Sequence, residues 1–301
     1  MNAAPALLGY AAAVGWVAPR VMLRSSWPHR SPALAATVWI AFAASFSLCV
    51  ALAALHLATP QAHLHGILYS CQVALGIGPT TGAGAVERVG IAASAVVVAA
   101  HVVSFAFHAL RARGARNGHR RILDKVGRPS AGLRATVIDH GVPAAYCLPG
   151  RRPRIVLSTG AVELLSRAEL GAVVEHERAH IACRHHLVLV AAQSFATVFR
   201  RLPLARHLRE QIPLLLEMAA DDRALRSYPH GVLATAMVEM ASGGAAPRGT
   251  LSAGGPTALV RLRRILGPAR CAHPALRGVM AATAVMTPLL PLLLACPPGL
   301  G

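Results

Sequence analysis

His176, Glu177 and His180 stand in the order His-Glu-x-x-His. On a helix, residues four apart lie on one face a turn apart, so the two imidazoles converge on one ion. Glu177, beside the first of them, is then in reach of a water held at that ion, and the chemistry on offer is zinc-assisted hydrolysis. Leu170, Val173, Val174, Glu177 and His180 keep helical register, and Ser166-Arg-Ala-Glu169 has the form of a capping box that opens the helix.

A catalytic zinc takes three protein ligands and keeps one position open, so two histidines are too few. Two residues can supply the third. His186 follows His180 by six positions, the spacing of metzincins, but that arrangement turns at a glycine where this chain has Cys183, and no distinct Met-turn follows. Glu217, in Glu217-Met-Ala-Ala-Asp221-Asp222, would bring a carboxylate from a separate helix, with Asp221 one turn on to accept a hydrogen bond from a ligand imidazole. Glu217 is the preferred candidate, because this acidic cluster is one of few in a basic region. Tyr228, His230 and Arg223 are candidates for stabilising an oxyanion.

Around these residues the composition is that of a membrane protein: 54% hydrophobic and 14% charged over 301 residues. The net charge of +18 admits nucleic-acid binding, anionic lipid contact or a positive-inside topology. The last fits best, since the charge lies next to apolar runs and is not interleaved with aromatic residues. There is no recognisable DNA-binding motif, and no direct nucleic-acid contact is expected. Six scattered cysteines form no CxxC, so neither a disulfide scaffold nor a cysteine zinc site is indicated.

Residues 1–110 are expected to hold three transmembrane helices, about 3–19, 33–58 and 90–110, and residues 276–301 a fourth, about 278–295, kinked at Pro288 and Pro291. His101 and His108 of the third span are expected to face other helices. Residues 111–275 form an inserted domain carrying the polar chemistry, and the basic residues after spans one and three put it in the cytoplasm with the amino terminus outside. Residues 59–87, free of Lys and Arg, read as an exterior connection; Cys71 and Cys296 would share that side, though nothing in the spacing requires a disulfide. Within the domain, residues 135–139, 144–148 and 154–158 read as a small antiparallel sheet. Residues 187–199 read as a buried or membrane-surface helix, 242–256 as a flexible loop, and Arg261-Leu-Arg-Arg264 as a basic stripe facing solvent or lipid.

With these features in hand, the chain resembles the M56 family of membrane-embedded zinc peptidases, typified by β-lactam sensor-transducers of the BlaR/MecR type, and more distantly the M48 gluzincins. The resemblance covers most of the chain. It rests on Leu157-Ser-Thr-Gly160, Ser166-x-x-Glu169-Leu170, His176-Glu177-x-x-His180-x-x-x-Arg184, Glu217-x-x-Ala220-Asp221, Arg263-Arg264-Ile265, and three spans before the domain with one after. It implies a mainly α integral membrane protein of four transmembrane helices with an inserted α+β gluzincin-like zinc metalloprotease domain. It also implies one Zn²⁺ per chain held by His176, His180 and Glu217, with Glu177 as the base and Asp221 supporting the ligands. A penicillin-binding sensor domain after the last span, present in the β-lactam sensors, is missing from this sequence.

The function expected is a zinc-dependent endopeptidase at the cytoplasmic face of a bacterial plasma membrane. Its partners would be the lipid bilayer and a protein or peptide substrate. By resemblance, it would cleave itself or a BlaI-like repressor. An M48-type membrane-protein quality-control protease is the alternative enzyme, and a catalytically silent membrane scaffold or signalling protein the alternative of another class.

Overall fold

The structure, a computed structural model, describes residues 3–58, 85–243, 256–268 and 273–295. The exterior connection, the Cys71–Cys296 pair and nearly all of the flexible loop expected from the sequence lie outside these residues. Four helices are long and apolar enough to cross a membrane: Ala4–Arg24, Pro32–Leu57, Arg88–Val126 and Pro274–Ala295. The first, α1, carries a π turn at Ala13–Val17. A short helix α2, Trp27–Arg30, leads into α3, Pro32–Ala58. The next helix, α4, is Ala85–Val126, and it does not stop where the apolar run ends near Leu110. At 42 residues it is about 63 Å long, so it carries the chain well beyond a bilayer core before the sheet begins.

The sheet has four strands, β1 Arg128–Ser130, β2 Ala135–Ile138, β3 Ala145–Leu148 and β4 Arg154–Ser158, in the order β1-β2-β4-β3. The three runs expected as strands are joined by a fourth, and the sheet is mixed: β2 and β4 pair in parallel, while β1 with β2 and β3 with β4 are antiparallel. The reason is that β3 and β4 form a hairpin that docks on β2 through β4, which leaves β3 at the edge. Ser158 fixes that edge. Its hydroxyl accepts from Ala144 N–H at 2.8 Å and caps the following helix α5, Thr159–Leu164, at Ala161 N–H, 3.0 Å. Gly160 completes the corner, since a Cβ there would stand 2.0 Å from the Gly141 carbonyl oxygen.

Helices α6 Arg167–Ala182, α7 His185–Val198, α8 Pro203–Ala224, α9 His230–Gly243, α10 Pro256–Leu266 and α11 Pro274–Ala295 complete the fold. Ser166 and Glu169 form the capping box at the start of α6, with Ser166 N–H donating to Glu169 Oε2 at 2.8 Å. Arg184 turns α6 into α7 in the left-handed conformation, φ 51°. The main core joins α1, α3, α7 and α8: Leu7, Trp39, Phe46, Phe195, Leu204, Leu208, Ile212 and Leu215 are all buried in it. Thus α7 packs one face among the apolar helices and leaves Leu187 and Leu189 exposed on the other, and α8 belongs both to the bundle and to the region beyond it.

Pro291 of α11 has no N–H for the carbonyl of Thr287, one turn earlier. Tyr10 and Ser45 hydroxyls donate to that oxygen instead, at 3.1 and 2.7 Å, which binds α11 to α1 and α3. His101 Nε2 lies 2.9 Å from Ser47 Oγ on α3, and His108 Nε2 2.9 Å from Thr197 Oγ1 on α7, so both face other helices. Val96, Val102, Phe107, Leu289 and Leu293 are exposed on α4 and α11, an apolar outer surface suited to lipid.

Candidate metal centre

One face of α6 carries His176 and His180, and α8 crosses it with Glu217. His176 Nε2 and His180 Nε2 lie 3.2 Å apart; Glu217 stands 3.4 Å from the first through Oε2 and 3.3 Å from the second through Oε1. Donors bound tetrahedrally at zinc distances of 2.0–2.2 Å stand about 3.3–3.5 Å from one another, so the three are spaced as the edges of such a site. Among the described residues this is the group of histidine, cysteine and carboxylate side chains placed to hold a metal ion.

The surroundings fix which ring atoms point inward. His176 Nδ1 lies 3.0 Å from Asp221 Oδ1, an ion-pair contact that leaves Nε2 turned toward the other donors. His180 Nδ1 lies 2.8 Å from Nδ1 of His185, the first residue of α7. His185 is buried; burial and the neighbouring His180 push its pKa down to about 4, so it is neutral, and it would accept the proton of His180 Nδ1 when Nε2 of His180 holds a metal ion. The two Nε2 atoms face each other at 3.2 Å, a spacing that calls for a proton or a metal ion between them. Burial disfavours charging His176, but its bonds to Asp221 and Glu217 outweigh this, and its pKa rises to about 9. The site calls for positive charge, and the donor set suits Zn²⁺.

Asp221 is fully buried and is held by Arg261 of α10 through two bonds, Nε to Oδ2 at 2.8 Å and Nη2 to Oδ1 at 2.7 Å. Arg261 Nη1 also reaches Glu217 Oε2 at 2.7 Å. Burial alone would raise the pKa of both carboxylates, yet bonds from His176 and Arg261, and from His180 to Glu217, hold both below the usual range and keep them ionised. Arg261 is therefore not part of a solvated or lipid-facing stripe. Its side chain is 14% exposed and ties α10 to the ligand helix, while Arg264, one turn further along α10, pairs with Asp222, the residue next to Asp221. The acidic cluster on α8 needs countercharge inside the protein, and Arg261 and Arg264 supply it from α10.

Glu177 projects toward the edge strand, where the Cys147 thiol of β3 faces its carboxylate. His186, the other candidate third ligand, is outside the donor cluster. The proposed oxyanion residues point elsewhere: Tyr228 packs its hydroxyl over Gly171, His230 Nδ1 bonds the Ile265 carbonyl at 2.8 Å, and Arg223 approaches Cys183 Sγ at 3.8 Å. Sequence reasoning missed His185, Arg261 and Cys147 as neighbours of the site.

Comparison with known proteins places residues 109–213, about a third of the chain, in a match to peptidase family M48. The match includes His176, Glu177 and His180 and ends before Glu217. A plastoglobule-localized, chloroplastic metallopeptidase 48 of Arabidopsis thaliana is 38% identical over 94 residues, 28% of this chain. The aligned part is 27% of that relative, so the chain spans about a quarter of its length. No solved structure matches. The family found is thus the more distant of the two that the motifs suggested, and it supports a metallopeptidase.

Proposed function

We propose that this chain is a membrane-embedded zinc endopeptidase of M48 type whose site lies where α8 leaves the helical bundle. The observation that carries this reading is the convergence of His176 Nε2, His180 Nε2 and Glu217 on one ion-sized position, next to Glu177 and an exposed strand edge. His176, His180 and Glu217 would hold Zn²⁺, oriented by Asp221, Arg261 and His185. Zinc, when bound, supplies Lewis acidity that polarises the scissile carbonyl and acidifies a water. Glu177 takes the proton of the attacking water and returns it to the leaving amine. The edge of β3 offers backbone groups for an extended substrate, which would lie across Glu177.

The protein would be multi-pass in a bacterial plasma membrane, with this site on the cytoplasmic side and the amino terminus outside. A membrane protein or membrane-adjacent segment is then the substrate. The span arrangement and the Arg263-Arg264-Ile265 run favour a second reading, signal-dependent cleavage of the chain itself or of a BlaI-like repressor in the M56 manner.

Purified protein in detergent should hold about one zinc per chain and cleave an unfolded protein substrate. Glu177→Gln should keep the zinc and lose at least 10²-fold in rate, the contribution of a positioned general base; undiminished cleavage would sink the assignment. Co-expression with a winged-helix repressor of the BlaI type separates the two readings by whether that repressor is cut.

A further inference from the structure

A cavity of about 660 Å³ opens between the start of α3 and helices α7 and α8. Arg30, Arg223, Arg226 and Arg277 line it. Among the described residues none of the four has a carboxylate within ion-pair distance; Asp222, which also lines the cavity, is paired with Arg264. The walls below them are apolar: Ala33, Ala36 and Ile40 of α3, Val188 of α7 and Leu216 of α8.

The charged rim stands at a definite depth. Arg30 ends α2, two residues before α3 begins, and Arg277 lies in the first turn of α11. Ser45 Oγ donates to the Thr287 carbonyl at 2.7 Å, each of these residues is equally far from the first residue of its helix, and Pro32 and Arg277 at the two starts line the same cavity, so α3 and α11 run parallel with their starts level. Both are helices able to cross a membrane, so the arginines sit at the height where the spans meet the headgroups, with the apolar walls at the height of acyl chains.

We propose that this cavity is a binding site for one anionic phospholipid. Its phosphate is held by the four arginines and an acyl chain lies along α3 and α7. Unpaired cations over an apolar slot match a molecule that is anionic at one end and apolar at the other, and a free phosphate would leave the slot unfilled. Cys183 and His185 form the inner wall, so the lipid would sit directly behind the residue that bonds His180. The site stands independently of the peptidase reading, because its readout is binding.

The test uses the full chain in neutral detergent, titrated with phosphatidylglycerol or phosphatidylcholine and read by native mass spectrometry and by thermal unfolding. Phosphatidylglycerol should bind saturably, about one per chain, and raise the unfolding temperature, whereas phosphatidylcholine should not. The double variant Arg223→Gln/Arg277→Gln should weaken phosphatidylglycerol by about 10–30-fold, the worth of two arginines near a headgroup. Thr37→Trp, which narrows the slot without removing charge, should weaken it as well and decides the matter if the double variant fails to fold. Arg151→Gln/Arg152→Gln, in the exposed β3–β4 connection, should leave binding unchanged. Equal binding of the two lipids, equal loss in the control variant, or displacement by inorganic phosphate or an acidic peptide at similar affinity would overturn the proposal.

Discussion

His180 Nδ1 and His185 Nδ1 lie 2.8 Å apart across the Arg184 turn, while His180 Nε2 faces the other donors. His185 is the acceptor that keeps His180 in the tautomer needed for metal binding. His185→Phe should therefore lower zinc affinity by about 10–100-fold, as losses behind a metal ligand do, measured by chelator competition. Unchanged affinity would mean that the helix alone orients His180.

Arg261 neutralises two carboxylates in a nearly closed setting. Removing it should leave Asp221 buried and uncompensated, at a cost of about 3–5 kcal/mol. Arg261→Met should accordingly lower the unfolding temperature strongly, and Arg261→Lys less so, because a lysine keeps the charge and loses the two-pronged bond to Asp221. The exposed neighbour Arg263→Met provides the comparison and should change stability by no more than about 0.5 kcal/mol.

The third ligand can be assigned by metal content. Glu217→Ala should reduce bound zinc to well below one per chain, and His186→Ala should leave it intact, as read by atomic absorption after gel filtration. The reverse pattern would restore the metzincin-like arrangement.

Cys147 offers a chemical probe of the substrate edge. Burial and the facing Glu177 carboxylate push its thiol up to about 12, so it stays protonated far above neutral pH. Only thiolate reacts readily, and at pH 8 alkylation by iodoacetamide should be slower than for an ordinary thiol by roughly three orders of magnitude. Glu177→Gln removes the negative charge and should speed labelling, followed by peptide mass spectrometry. Equal rates in both proteins would separate Cys147 from Glu177.

The helices of the site were legible because their signals are local: His176 and His180 follow from a four-residue spacing, and the start of α6 from Ser166 and Glu169. Glu217 and Asp221 were legible as a chemical need for a third donor and its support. What stayed hidden depends on contacts between distant segments. The parallel pairing of β2 with β4 arises from where the β3–β4 hairpin docks, which no short run encodes. Arg261 sits in a run whose composition suits a membrane surface, and only the crossing of α10 over α8 buries it. His185 is adjacent to the ligand motif, but its contact depends on the left-handed conformation at Arg184, an uncommon state for an arginine.

Helix α8 packs Leu204, Leu208, Ile212 and Leu215 against the spans and then presents Glu217. One helix thus packs on the apolar helices at one end and supplies a ligand at the other, with Pro213 between the two parts. Metal–ligand distances tolerate only about ±0.2 Å, so a slide of α8 along α3 that would be trivial for packing is large for coordination. In a bilayer, a change of thickness that shifted α3 would be passed through α8 to the metal ligand. Zinc affinity and turnover should change together when the protein is moved between bilayers of short and long acyl chains, and a peptidase domain cut free of its spans should lose both.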